Sequence, residues 1–327
     1  MGLLHPRRLG QIPDQVLADA VDPGASGTTG GRRLGRGRAS LPPQPSSDPR
    51  LIADRERPGA WFVRVAGTDQ SFVDPGDPTW LEFDYVRRVA AVVDQFAPAG
   101  QRLRCVHVGG AGMTLARYVA ATRPTSAQIV FEPDAGLTAA VRAVAPLPPR
   151  CGVKVRARDG RAGLAELPDD YADIVIVDAF AGASVPGELA TQEWFAAVAR
   201  VLDGDGVMIM NLTDQAPLTW SRRTIAGIVP GFAAGRAGPP DRARPATRLA
   251  LAVEPSTLTG RRFGNLVVAA GGRLDPAAWH RSSAREAFPY RVLAGEELTR
   301  WLGGARPFDD SDATASPPPP GGPTVFR

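Results

Sequence analysis

The stretch Asp173-Ile-Val-Ile-Val-Asp178 constrains the fold most: four β-branched apolar residues run unbroken between two carboxylates. A strand with one wet face alternates apolar and polar residues, whereas an unbroken apolar strand is buried on both faces and needs a layer above and below it. Cys105–Val108, Gln128–Glu132, Val153–Ala157 and Val207–Leu212 read as further strands, near-continuously apolar as a set. Between them lie segments with helical spacing of apolar residues: Leu81–Phe96, Met113–Ala121, Ala135–Val144 and Gln192–Leu202. Leu249–Val253 and Phe263–Ala270 fit an antiparallel pair closing the sheet. The expected fold class is α/β: a doubly wound, mostly parallel, seven-stranded sheet. Leu51–Ala53 and Trp61–Val65 predict a small N-terminal β-hairpin ahead of it.

The chain divides by composition. Residues 1–50 carry eight Gly and seven Arg against four Asp, and are expected to be a disordered tail, because such a segment cannot bury enough apolar surface to offset its ordering entropy. Residues 51–80 form the hairpin region, 81–312 the main domain, and 313–327, with five Pro, a second loose tail. Of the +4 net charge, +3 lies in the first tail; the remainder holds 31 basic against 30 acidic residues. That balance leaves no phosphate-tracking stripe, so no nucleic-acid partner is expected. No apolar run reaches the ~18 residues of a membrane span, and the N-terminus has no signal-like apolar stretch, so a soluble cytoplasmic protein without a membrane partner is expected. Cys105 sits in an apolar run as a buried thiol would, and three scattered His with two Cys support no metal site.

Ligands of such sheets bind at the carboxyl ends of the strands. Four strand ends carry chemistry here. Gly109, Gly110 and Gly112 follow the first main strand, where glycines allow close backbone approach and aim helix N–H groups at a ligand, or else make a tight turn. A dinucleotide fingerprint from Gly110 needs glycine at 115, which is Leu, so a nucleoside without a pyrophosphate is favoured over NAD. Glu132 closes the next strand 23 residues after Gly109, where a carboxylate can accept ribose hydroxyls; the alternative is a solvated loop acid. Asp159-Gly160 follows the third strand and can accept from an adenine amino group or form a turn. Asp178 leaves the most apolar strand, where desolvation makes a carboxylate more basic; the alternative is a helix N-cap.

Taken in order, these residues resemble the spermidine/spermine synthase family over about residues 51–275, and more narrowly its soluble actinobacterial-type, spermidine synthase-like branch. The resemblance runs through Gly67-Thr-Asp-Gln70, Leu81-Glu-Phe-Asp-Tyr85, His107-Val-Gly-Gly-Ala-Gly, Phe131-Glu-Pro-Asp, Arg158-Asp-Gly160, Asp178-Ala-Phe-Ala-Gly, Val185-Pro-Gly-Glu-Leu-Ala-Thr-Gln-Glu-Trp-Phe, Asp205-Gly-Val and Arg261-Arg-Phe-Gly-Asn-Leu-Val. It implies a methyltransferase-like, Rossmann-like sheet that binds decarboxylated S-adenosylmethionine and transfers its aminopropyl group to a small-molecule amine in polyamine biosynthesis. By position it implies Asp178 as the catalytic carboxylate. Glu132 would hold the ribose, Asp159 and Gly160 the adenine, and Pro186 the wall near the departing methylthioadenosine. Tyr85 and Gln70 would line the amine site, and a homodimer would form through the N-terminal hairpin.

The departures fall on one half of that site. The family's Asp in the glycine loop is replaced by the Ala111-Gly112-Met113 neighbourhood, the His after the tyrosine is Val86, and the second Asp after the catalytic one is Ala181. Each lost group would meet a cationic amine, so the nucleoside half reads as retained and the polyamine half as eroded. Intact S-adenosylmethionine, with methyl transfer on the same fold, is the alternative reaction, and a non-catalytic nucleoside-binding or scaffold protein is the third reading.

Overall fold

The computed structural model describes residues 46, 48–236, 246–286 and 289–320. Residues 1–45 of the expected first tail and residues 321–327 of the expected second lie outside the described residues.

Three strands, β1 (Leu51–Ala53), β2 (Trp61–Val65) and β3 (Thr68–Val73), form an antiparallel sheet in sequence order. The expected hairpin therefore has a third strand. Gly67, at φ +81°, turns the chain back in a conformation glycine adopts without strain. Asp48 and Arg50, expected in the first tail, are fixed instead: Arg50 donates to Asp48 Oδ1 and, at 2.8 Å, to Asp134.

Among the described residues the main sheet has eight strands. Five are parallel: β4 (Arg104–Val108), β5 (Ala127–Phe131), β6 (Val153–Arg156), β7 (Ala172–Val177) and β8 (Leu202–Asp214). Three more, β9 (Arg248–Val253), β10 (Gly264–Gly271) and β11 (Arg291–Ala294), are antiparallel to their neighbours, in the order β11-β9-β10-β8-β7-β4-β5-β6. The expected count of seven missed β11, whose four residues Arg-Val-Leu-Ala are too short to carry a period. β7 sits centrally between β4 and β8 with Ile174 to Val177 buried, as an unbroken apolar strand requires.

Helices cover the faces: α1 (Asp84–Phe96), α2 (Thr114–Thr122), α3 (Ala135–Val144), α4 (Gly160–Ala165) and α5 (Gln192–Val201) connect the parallel strands and the approach to them. α1 buries Val86, Val89, Val92, Val93 and Phe96 against the sheet, the 3–4 spacing of a one-faced helix. It begins at Asp84 rather than Leu81, because Arg87 donates to the carbonyls of Leu81 (2.6 Å) and Glu82 (2.9 Å) and holds that approach extended. Asp84 in the first turn suits the helix dipole.

The expectation of a loose tail from residue 313 fails for its described part. Ser316 N donates to Val185 O at 3.0 Å, Val185 N to Ser316 Oγ at 2.8 Å, and Trp220 Nε1 to Thr314 O at 2.7 Å. Ser316 and Pro319 are buried, so hydrogen bonds together with local burial dock this proline-rich stretch. No helix among the described residues is long and apolar enough to cross a membrane.

Candidate active site

The first residue beyond β7, Asp178, is fixed by its neighbours on both sides. Its N–H donates to Val108 O at 2.9 Å, continuing the β4–β7 ladder. Its Oδ1 accepts from Asn211 Nδ2 at 2.9 Å, and its Oδ2 from Tyr85 Oη at 3.2 Å. Desolvation pushes its carboxyl up from 3.8 to about 6, against the two hydrogen bonds, which favour the charged form. Tyr85 is pushed well above the usual phenol value, first by desolvation and then by the adjacent Asp178 charge, so it stays a donor.

One cavity borders this carboxylate, and a second is lined by its two hydrogen-bond partners, Tyr85 and Asn211. A small one of about 40 Å³ is bordered by Asp178, Tyr85, Gln70, Gly109, Gly110 and Met113, among others. A larger one of about 320 Å³ has Gln70, Tyr85 and Phe180 in common with it and adds Phe83, Asn211, Asn265 and Arg262. Phe83 and Tyr85 stack with centroids 6.0 Å apart and planes 10° from parallel. Gln70 donates its amide to Gly182 O, tying β3 to the loop after β7. The expected substrate residues Tyr85 and Gln70 therefore border the same space as Asp178.

The glycine loop is shaped by protein contacts. A Cβ on Gly109, at φ +90°, would meet Asp178 O at 2.2 Å. At Gly110 it would meet Val130 and Glu132, and at Gly112 the Ser71 hydroxyl at 2.6 Å. Glu132, one residue past β5, accepts from Gly110 N (2.9 Å) and Ala111 N (3.0 Å) through Oε2, and from Asp134 N (3.0 Å) through Oε1. A carboxylate accepts about four hydrogen bonds, so Glu132 keeps capacity for one hydroxyl on Oε1.

Asp159 is exposed and caps α4, its Oδ1 accepting from Ala162 N at 2.9 Å, so both the turn reading and a second-oxygen contact to a ligand are compatible with it. Gly160 lies against Val108, where a Cβ would come within 2.3 Å of Val108 Cγ1. Pro186 precedes a one-turn 3₁₀ helix, Gly187–Leu189, whose first glycine abuts the Thr314 backbone. Neither Asp159, Gly160 nor Pro186 borders the two cavities around Asp178. His107 is buried in β4 against Gln128, at 2.9 Å, and burial pushes its ring down to about 4. Cys105 is a buried free thiol.

Sequence reasoning missed Asn211, Asn265, Phe83, Phe180 and Arg262. Asn211 had a signal: it interrupts Val207-Met-Ile-Met in the middle of an apolar strand, where an amide needs a polar partner.

No family model matches the chain, and a search of curated proteins finds no match. Among solved structures, a probable spermidine synthase from Corynebacterium glutamicum is similar at 27% identity and a TM-score of 0.70, over 82% of this chain and 95% of that one. A spermidine synthase from Thermotoga maritima aligns at 14% identity and a TM-score of 0.46, over 80% and 81% of the two chains. Human methyltransferase-like protein 13, in complex with SAH, aligns at 18% and 0.46, over 70% and 97%. The first carries the comparison; the other two are too distant to add to it.

Proposed function

We propose that this chain, a spermidine synthase-like protein, is a transferase that binds an adenosyl sulfonium nucleoside and moves an aminopropyl group from decarboxylated S-adenosylmethionine to an amine. The observation that carries the reading is Asp178, an elevated carboxylate gripped by Tyr85 and Asn211 beside a cavity large enough for an acceptor.

The donor set fits such a nucleoside. Glu132 retains an acceptor site for a ribose hydroxyl, Asp159 retains Oδ2 for an amino group, and Asp178 is an anion suited to face a sulfonium. When bound, the sulfonium supplies an activated methylene carbon whose bond to sulfur breaks with its electron pair going to sulfur. Asp178 orients the neutral amine nitrogen and takes the proton that the nitrogen sheds as its new bond to carbon forms. Tyr85 and Asn211 keep both carboxylate oxygens in place, so no reorganisation is needed at that moment. Gly109 lets the backbones of β4 and β7 close up, which sets Asp178 beside the glycine loop.

Methyl transfer from intact S-adenosylmethionine is the second reading, favoured by one observation: Ala111 offers no carboxylate to hold an aminopropyl ammonium. The two readings separate in one assay. Incubation with decarboxylated S-adenosylmethionine and an amine mixture releases methylthioadenosine on the first reading. On the second, only the intact nucleoside is consumed, giving S-adenosylhomocysteine.

A further inference from the structure

The larger cavity beside Asp178 has a charge pattern that does not suit a dication. Two charged residues border it, Asp69 and Arg262. The charge of Asp69 is already paired: Arg64 donates to both of its oxygens, Nε to Oδ1 at 2.6 Å and Nη2 to Oδ2 at 2.9 Å. Arg262 is held more loosely, with Nη1 at 3.5 Å from Glu254 Oε2. Glu254 gives its other oxygen to Arg88, at 2.9 Å, so one carboxylate answers two guanidinium groups and a positive charge is left over at the cavity.

The opposite end has a different need. Asn211 is 2% exposed, and spends its amide N–H₂ on Asp178. Its Oδ1 is buried and accepts no hydrogen bond among the described residues. An unpaired buried acceptor costs free energy that a bound N–H donor would recover. The walls between are the stacked rings of Phe83 and Tyr85, with Phe180. Exposure orders the cavity from Asn211 inside to Arg262, whose side chain is 59% exposed, outside.

On the transferase reading above, we infer that the acceptor is an amine that carries a carboxylate across an apolar or aromatic spacer, and not a diamine. The amine donates to Asn211 Oδ1 and Asp178 at the inner end, the spacer lies along Phe83, Tyr85 and Phe180, and the carboxylate meets Arg262 at the outer end. Arg262 is then the residue that sets acceptor specificity, since a guanidinium matches a carboxylate and repels an ammonium.

The test uses two ligands that differ only at the far end, p-(aminomethyl)benzoate and p-xylylenediamine. Each is titrated calorimetrically into the full chain in the presence of methylthioadenosine. The wild-type protein is expected to bind the carboxylate about ten- to a hundredfold more tightly than the diamine. Arg262→Glu reverses the order, and Arg262→Gln removes the preference; the exposed position makes both variants compatible with folding, which a thermal melt verifies. Methylthioadenosine binding with a preference for the diamine, with no binding of either ligand, or with an order that Arg262→Glu leaves unchanged, overturns the acceptor assignment alone. Failure of methylthioadenosine itself to bind overturns the transferase reading, and the acceptor assignment with it.

Discussion

Asn211 Nδ2 donates to Asp178 Oδ1 at 2.9 Å because β7 and β8 run parallel with Val177 opposite Met210, which brings the next residue of each strand side by side. A register slip of one residue would turn Asn211 to the other face of the sheet. The bond is therefore a direct product of strand register. It fixes the carboxylate from the sheet side while Tyr85, on α1, fixes it from the helix side.

Replacing Asp178 tests its two roles at once. Its carboxyl titrates at about 6 in the folded chain against an ordinary 3.8, so folding favours the protonated form. That contribution to stability is fully present below about pH 3.8 and is lost as pH rises through about 6. Asp178→Asn, which cannot ionise, is expected to be more stable than the wild type above pH 6, by about 3 kcal/mol, with the difference closing toward pH 4. Transfer activity should fall about a hundred- to ten-thousandfold in the same variant. Urea denaturation at several pH values and a turnover assay read the two effects separately.

The rate should also rise with pH through an acidic limb near 6, as Asp178 ionises and becomes a proton acceptor. Tyr85 hydrogen-bonds the charged form and holds that limb down. Tyr85→Phe is expected to move it upward by about one pH unit. A pH profile of kcat/KM for the two proteins is the measurement.

Glu132 is both a structural clamp and a candidate ribose ligand. Glu132→Ala leaves the N–H groups of Gly110 and Ala111 without their acceptor, and should cost about 1–3 kcal/mol of stability. Glu132→Gln keeps one oxygen for the N–H groups of Gly110 and Ala111, loses the acceptor of Asp134 N, and is expected to lose less. Thermal unfolding ranks the series, and nucleoside titration of the folded variants isolates the binding part.

The docked stretch around Ser316 gives a prediction away from the carboxylate. Ser316→Ala removes the acceptor of Val185 N, one residue before Pro186, and should destabilise the chain by about 1–2 kcal/mol. Chemical denaturation with an unchanged slope would place the effect in the native state.

The parallel core was legible because the central strands are largely apolar and each helix repeats at 3.6; Ala135–Val144 was even bounded correctly, with Asp134 as its cap. β3 and β11 were not. In Thr68–Val73 polar residues take up four of the six positions, and Arg291–Ala294 is one short edge strand. Asp178 stood out as a carboxylate at a strand end and Tyr85 only through the family resemblance, and they do meet. Arg262 and Asn265 join the same cavity only because β10 returns antiparallel beside β8, pairing Asn265 with Thr213, a long-range register that no local pattern encodes. The tail from 313 misled because proline content says nothing about whether a single serine and a few carbonyls find partners.

The central claim, an adenosyl sulfonium nucleoside bound beside Asp178, is tested most directly by calorimetric titration with decarboxylated S-adenosylmethionine, intact S-adenosylmethionine and methylthioadenosine. Saturable binding of the decarboxylated nucleoside in preference to the intact one, weakened at least about tenfold in Glu132→Gln, is the predicted result. Folded protein that binds none of the three would contradict it.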